Sequence, residues 1–548
     1  MDVAARLVLA SLLTMGGVAL GQTTQPNRTT SPARSPATAP GTAPASAPAS
    51  RPVSSQPAPT VPVSKPASPA TGPASAPAPP PPVASAPASR PASRPVAAPG
   101  LALDDGDVIV FLGDELTEAA QPRTSYNFPT LVETFLTVRY PDRRLSFINA
   151  GWSHDTAARA GLRLERDVLA HGPTVVVICL GLNDPAYEPF TEERLAAFGR
   201  DLRTLVTRCR AAGARTWLIS PPSIEEDRGQ RARIVRDQRR SFADLGAIGY
   251  HETLGRYGET VRDVAAETQS GFVDWYTQSA RIRRRLRRHQ RSFGFTRDGR
   301  LPLARGHALV AAALLQAWQA EPIEVAVHLD WEKGVAELDA PAPGAVAVEI
   351  TDDGRRIVRL EQVAMPWPMP SGRFGALEVD WTAAKMCRFI LRVANPPERG
   401  VIVSGATDKA SGYRPRPSNV VQLQAGVNLA ASPPVRSLQA TADLFNLIGT
   451  KNLYRYAVWR RLEPSPPQEP ELIEAHGMLI DTWKAYAEGY AEVIRHRPKL
   501  IDLELVLSEN VKPEQLPTSR PARAPIRPAR RSIPLRPAPA TQSAPAAR

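Results

Sequence analysis

The chain has 548 residues and a formal net charge of +13, and that charge sits at its ends. Residues 22–100 hold six basic residues and no acid, residues 515–548 hold seven and no acid, and Asp2 offsets Arg6, which leaves residues 101–514 net neutral. The high pI therefore gives no ground for a nucleic-acid-binding domain.

Residues 1–21 read as an export signal: Arg6, a short apolar run, then the small residues Ala19 and Gly21 before a cleavage point. The run is short for a stable membrane span, so the expected location is periplasmic or extracellular. Residues 22–100, with 22 prolines, and the tail 511–548, with 8 prolines from 515 onward, cannot bury enough apolar surface to offset ordering entropy. They are expected to add nothing to the fold. Cys179, Cys209 and Cys387 are too few and scattered for a disulfide framework or zinc cluster and read as buried thiols.

From residue 101 to 321, short runs rich in Val and Ile alternate with helical periods. Strand-like runs start at Asp107 (DVIVFL), Leu145 (LSFINAG), Thr174 (TVVVICLGL), Thr216 (TWLISPP) and Gly271 (GFVDWY). Helical periods cover 128–139, 193–211 and 254–268. This pattern predicts an α/β domain, a parallel sheet with helices on both faces, with its ligand site at the carboxyl ends of the strands. Residues 322–430 switch to short alternating runs, including IEVAVHL, AVAVEIT, ALEVDW and CRFILRV, which predict a small antiparallel β-sandwich. Residues 431–510 read as helical. Leu472, Leu479, Trp483, Tyr486, Tyr490 and Ile494 recur there at helical steps as a core-facing stripe.

Four blocks stand just after the strand-like runs or close the α/β region. They are Gly113-Asp114-Glu115-Leu116, Asn149-Ala150-Gly151-Trp152-Ser153-His154-Asp155-Thr156, Gly181-Leu182-Asn183-Asp184 and Asp298-Gly299-Arg300-Leu301, the last followed by Gly306-His307. In order and spacing this set resembles the SGNH (GDSL-type) hydrolase family. The segment Pro366-Trp367-Pro368-Met369-Pro370, the segment 425–430 and the helix from Lys451-Asn452 to Trp459-Arg460 resemble the accessory region of its large exported bacterial members. The resemblance implies a three-layer, flavodoxin-like α/β/α fold.

In that family a Ser attacks an ester carbonyl, a His takes its proton, and an Asp orients the His. Backbone amides and an Asn side chain hold the oxyanion. The resemblance places Gly151 and Asn183 at oxyanion positions and Asp298 at the orienting acid. It also puts Glu115 at the nucleophile position and Leu301 at the base position, where neither can play the family's part. A Glu115 carboxylate could instead take hydrogen bonds from the oxyanion donors and fill the site from within. His154, where the family usually has a second Gly, is a candidate substitute with Ser153, although a surface-loop role is the simpler reading.

The seven arginines within 281–291 read as a solvated helix face, with a rim attracting acidic polymers as the alternative. No phosphate-binding, dinucleotide or metal-spaced motif is present, so no cofactor is expected. Two functions stay open. One is an exported pseudo-hydrolase that binds an acylated carbohydrate or envelope polymer; the other is an active carbohydrate-ester or acyl-ester hydrolase with a rebuilt site.

Overall fold

A computed structural model describes residues 101–510, apart from 119–126, 226–248, 289, 297, 340–342, 368–385, 406–416, 431–434, 436–437 and 464–466. The first layer system is a five-stranded sheet of β1 (Val108–Gly113), β2 (Ser146–Gly151), β3 (Val175–Cys179), β4 (Arg215–Ile219) and β5 (Gly271–Val273). All pairs are parallel, in the order β2-β1-β3-β4-β5, which is the flavodoxin-like doubly wound arrangement.

Strand alternation decides which helices lie on which face. Ile109 and Phe111 point into one core with α2 (Phe128–Arg139), α6 (Trp275–Arg287) and α7 (Ala304–Ala317); Val110 and Leu112 point into the other with α3 (Ala157–Asp167), α4 (Glu192–Ala211) and α5 (Gly249–Glu267). Between β1 and α2 lies the one-turn α1 (Glu115–Glu118). Asn127 starts α2 because its side chain accepts from the Thr130 amide at 2.7 Å, taking up one of the free donors of a helix start. The three cysteines are free and buried. On α6, Arg283 and Arg287 donate to the Ile224 and Phe293 carbonyls, while Arg281, Arg284, Arg285, Arg288 and Arg291 are exposed.

Beyond the α/β region come β6 (Ile323–Asp330), β7 (Val335–Leu338), β8 (Ala345–Ile350), β9 (Arg356–Ala364), β10 (Cys387–Ala394), β11 (Val401–Gly405), α8 (Val420–Ala425) and β12 (Val427–Asn428). The chain then forms α9 (Gln439–Ala457), a π-turn (Val458–Leu462), α10 (Pro470–His496) and β13 (Leu500–Glu509). Two four-stranded sheets result, β12-β10-β6-β7 and β11-β13-β9-β8.

Three sequence expectations need correction. The sandwich is not wholly antiparallel, since β6 and β10 pair in parallel. Residues 431–510 are not wholly helical: β13 slots between β9 and β11, burying Ile501, Leu503, Leu505 and Leu507, so the β-rich region is completed by residues far down the chain. The α10 stripe is not a core face, because of its six residues only Ile494 is fully buried. Among the described residues, α10 packs chiefly on α9 and the π-turn of the same hairpin, which leaves most of its surface uncovered. The ALEVDW run, the segment 368–370 and both terminal tails lie outside the described residues. No helix among the described residues is long and apolar enough to cross a membrane.

The helical region is tied to the α/β domain by a buried ion pair between Lys451 on α9 and Glu133 on α2. Asn452 adds a 3.2 Å bond to the same carboxylate, and Trp367 Nε1 donates to the Leu131 carbonyl at 2.9 Å. Removing one partner of a buried pair leaves an uncompensated charge. Lys451→Ala is expected to lower unfolding stability by about 3 kcal/mol or more. A Lys451→Met, Glu133→Leu double variant should recover most of that loss, both read by urea unfolding at neutral pH.

Candidate active site

The four blocks meet at the carboxyl edge of the five-stranded sheet. Glu115 opens α1 directly after β1, the Asn149 block ends β2, and the Gly181 block follows β3. The Asp298 turn is held nearby because the buried Glu225 accepts the Phe295 amide at 2.5 Å and the Thr296 amide at 3.2 Å.

At the centre is the Glu115 side chain, 9 % exposed. One carboxylate oxygen accepts from Asn183 Nδ2 at 2.8 Å and from the His154 backbone amide at 2.9 Å. The other is ion-paired with Arg300 Nη1. That same Nη1 donates to the Tyr187 hydroxyl at 2.9 Å, and Tyr187 donates to Asn183 Oδ1 at 2.9 Å. Glu115, Asn183, Tyr187 and Arg300 thus close a ring of hydrogen bonds. Burial opposes ionisation of Glu115, but Arg300, Asn183 and the backbone amides outweigh it and hold the carboxyl below its ordinary range. Burial pushes Tyr187 in the direction of the neutral phenol, which suits its role as both donor and acceptor.

Each residue singled out in the sequence has a definite place. Asn183 faces Glu115 and also donates to the Asp155 carbonyl at 3.2 Å. The Gly151 amide donates to Asn149 Oδ1 at 3.0 Å and not to Glu115. Its glycine is needed for space: a Cβ there would collide with the Glu118 backbone. The amide that faces Glu115 from this block belongs to His154, whose backbone is left-handed at φ 62°. Such a φ favours glycine, so a His here is held against its backbone preference. The His154 side chain is exposed. Ser153 gives both its amide, at 2.8 Å, and its hydroxyl to Glu118, so that hydroxyl is engaged away from His154.

Asp298 accepts the Arg300 amide at 3.0 Å and the Leu301 amide at 2.7 Å. It shapes the turn that presents Arg300. The Leu301 side chain is half-buried against the apolar core. Glu118, next to Glu115 on α1, is 5 % exposed and is gripped from the helical region by the Tyr456 hydroxyl at 2.9 Å and Arg460 at 3.4 Å.

Arg300 and Tyr187 escaped the sequence reading. A signal for Arg300 existed: an ionised carboxylate in a buried cleft demands a cation, and Arg300 is the basic residue inside the fourth block itself. Tyr187 carried no comparable signal, since it lies in a turn where Ala186 and Tyr187 both adopt positive φ. Two further carboxyls stand in the same blocks, the buried Asp114 and the half-buried Asp184. Burial raises Asp114 well above the usual range and moves Asp184 up to about 7. No group of three His, Cys, Asp or Glu among the described residues is placed to hold a metal ion.

The profile of the GDSL-like Lipase/Acylhydrolase family matches residues 111–309. An acetylxylan esterase of Geobacillus stearothermophilus is 29% identical over 195 residues, which is 33% of this chain and 80% of that protein. Among solved structures, a gut microbial diltiazem-metabolizing enzyme aligns over 74% of this chain and 98% of its own, with a TM-score of 0.53 and 17% identity; this similarity shows a shared fold. A catalytic mutant of Axe2, an acetylxylan esterase from Geobacillus stearothermophilus, aligns over 40% of this chain and 96% of its own at a TM-score of 0.31 and 24% identity.

The ring makes a stability prediction with a definite sign. A carboxyl whose folded pKa is depressed stabilises the fold above its unfolded value, near 4.5, and that contribution is lost as pH falls through the folded value. Arg300→Met should cost about 3 kcal/mol at pH 7, the lower end for breaking a buried pair. The difference from the unsubstituted protein should shrink as pH drops below 4.5, measured by urea unfolding across pH 3 to 7.

Proposed function

Residues 111–309 form a GDSL-like lipase/acylhydrolase (SGNH) domain, and from that premise we propose an exported pseudo-hydrolase. Its cleft edge holds an acylated carbohydrate or envelope polymer without turning it over. The observation that carries the reading is the Glu115 carboxylate resting on the Asn183 side chain and the His154 amide, since Asn183 is the side chain that the family resemblance gives to the oxyanion.

Three chemical facts support impairment. A carboxylate neutralised by Arg300 and two further donors is a poor nucleophile, and its acyl product would be an anhydride. Leu301, at the base position, has no group to take a proton. Donors already satisfied by Glu115 offer nothing to a developing oxyanion, and preorganised donors are usually the largest single catalytic contribution. The carbohydrate class is supported by the relative of known name, an acetylxylan esterase. Export is supported by the signal-like residues 1–21 and by the basic, proline-rich segment that follows.

The test is hydrolysis of short acyl esters by purified protein. The unsubstituted protein and Glu115→Ser alone are expected to stay at the buffer rate, since the new hydroxyl has no base. Adding Leu301→His should raise hydrolysis roughly 10²-fold over the single variant, the lower end of what a positioned base contributes. Asn183→Ala or Asp298→Ala should then abolish the gain. Ester hydrolysis by the unsubstituted protein that disappears with Glu115→Ala or His154→Ala would overturn the reading in favour of a rebuilt site.

A further inference from the structure

The helical hairpin carries an exposed face outside the cleft. Among the described residues of α10, only Ala487 and Ile494 are fully buried, on the side facing α9. Tyr454 of α9 packs on Trp483, Tyr486 and Tyr490 with ring centroids 5.6, 5.5 and 5.6 Å apart, yet Tyr486 remains 52 % exposed. From there an uncovered strip runs along the helix: Met478, Thr482, Tyr486, Gly489 and Val493 follow one another at three- and four-residue steps, and all are exposed. This spacing puts them on one face. Met478 and Val493 are 60 and 50 % exposed, and a Cβ at Gly489 would meet open space.

An acidic edge borders this strip. Glu474, Asp481, Glu488 and Glu492 are exposed and lie, by the same helical steps, along one side of it, Glu492 being ion-paired with Arg495 and bonded to His496. By sequence, α10 carries five acids (these four and Glu471) against two bases, Lys484 and Arg495. An exposed strip that carries Met478, Tyr486 and Val493 beside an acidic border suits a chain segment that is basic, extended and modestly apolar.

The chain itself supplies one. Residues 515–548 hold seven arginines, eight prolines, Leu516, Ile526, Ile533 and Leu535, and no acid. Arg-Pro pairs occur at 520–521, 527–528 and 536–537. Arginine suits both a carboxylate and an aromatic face, and proline-rich segments dock on aromatic-lined surfaces at low ordering cost. Reach is sufficient. Glu509, the end of β13, is 13 residues beyond His496, so it lies within about 45 Å of the end of α10. The 38 residues from 511 to 548 span up to about 125 Å when extended.

We propose that the exposed acidic and aromatic strip of α10 is the docking surface for the arginine- and proline-rich C-terminal segment, residues 515–548, of the same molecule. The proposal is independent of whether the cleft turns over esters.

The test is amide hydrogen exchange over residues 470–496 in the full chain, in a chain ending at residue 510, and in a full chain carrying Asp481→Lys with Glu488→Lys. The double charge reversal sits on exposed positions and leaves the tail in place, so it separates docking from folding. The expected result is exchange several-fold slower in the full chain than in either variant, with slow exchange restored to the shortened chain by a synthetic peptide of residues 515–548. The peptide should not restore it in a shortened chain that carries the charge reversal, and its affinity should fall as salt rises. Equal exchange in all three proteins would overturn the proposal, and so would a peptide that binds the charge-reversed surface equally well. Protection that grows with protein concentration would overturn it too, because it would assign the strip to a second copy.

Discussion

Everything at the sheet edge is organised around one charge: the Glu115 carboxylate, held ionised in a cleft from which water is largely excluded. An isolated buried carboxylate would neutralise itself or unfold its surroundings. Here Arg300 supplies the countercharge, Asn183 and Tyr187 complete a closed ring with it, and the His154 amide adds a further donor. The ring explains local features that otherwise look unrelated. Asp298 serves the turn that presents Arg300, and the left-handed backbone at His154 aims its amide inward.

The helical region reaches the same place from outside. Tyr456 and Arg460 hold Glu118, which in turn holds Ser153, the neighbour of His154. One turn further, Trp459 Nε1 donates to Asp167 at 2.7 Å and its ring meets Trp152 edge-on at 5.7 Å, while Arg163 spans Asp155 and Asp167. These contacts come from the π-turn or the residues beside it, a geometry common at functional positions. The helical region therefore braces the loop that carries the cleft donors, and β13 carries the chain back into the β-rich sheets.

Much of this was legible in the sequence. Val- and Ile-rich runs broken by amphipathic periods identified the parallel sheet, because strands buried on both faces must be apolar throughout. The four blocks identified its carboxyl edge. The resemblance points to Gly151 as an oxyanion donor, and the amide that faces Glu115 belongs to His154. A glycine reads equally as a donor or as a close approach, and only geometry separates the two. Arg300 is not legible from the motif, because its guanidinium acquires a role only once Glu115 is known to be buried and ionised beside it. β13 was missed because its alternating run follows directly on a helix and pairs with strands more than a hundred residues earlier, a partnership no local pattern encodes. The α10 stripe has correct helical spacing, but spacing says nothing about whether a partner exists to cover it.

The account stands or falls on the charge state of Glu115. Carbon-13 NMR of the side-chain carboxyl, assigned by comparison with Glu115→Gln and followed across pH 2 to 8, measures it without any substrate. The expected result is a carboxylate shift that persists below pH 4.5, with its titration midpoint raised by Arg300→Met. A midpoint at or above the ordinary value, indifferent to Arg300, would contradict the self-occupied site.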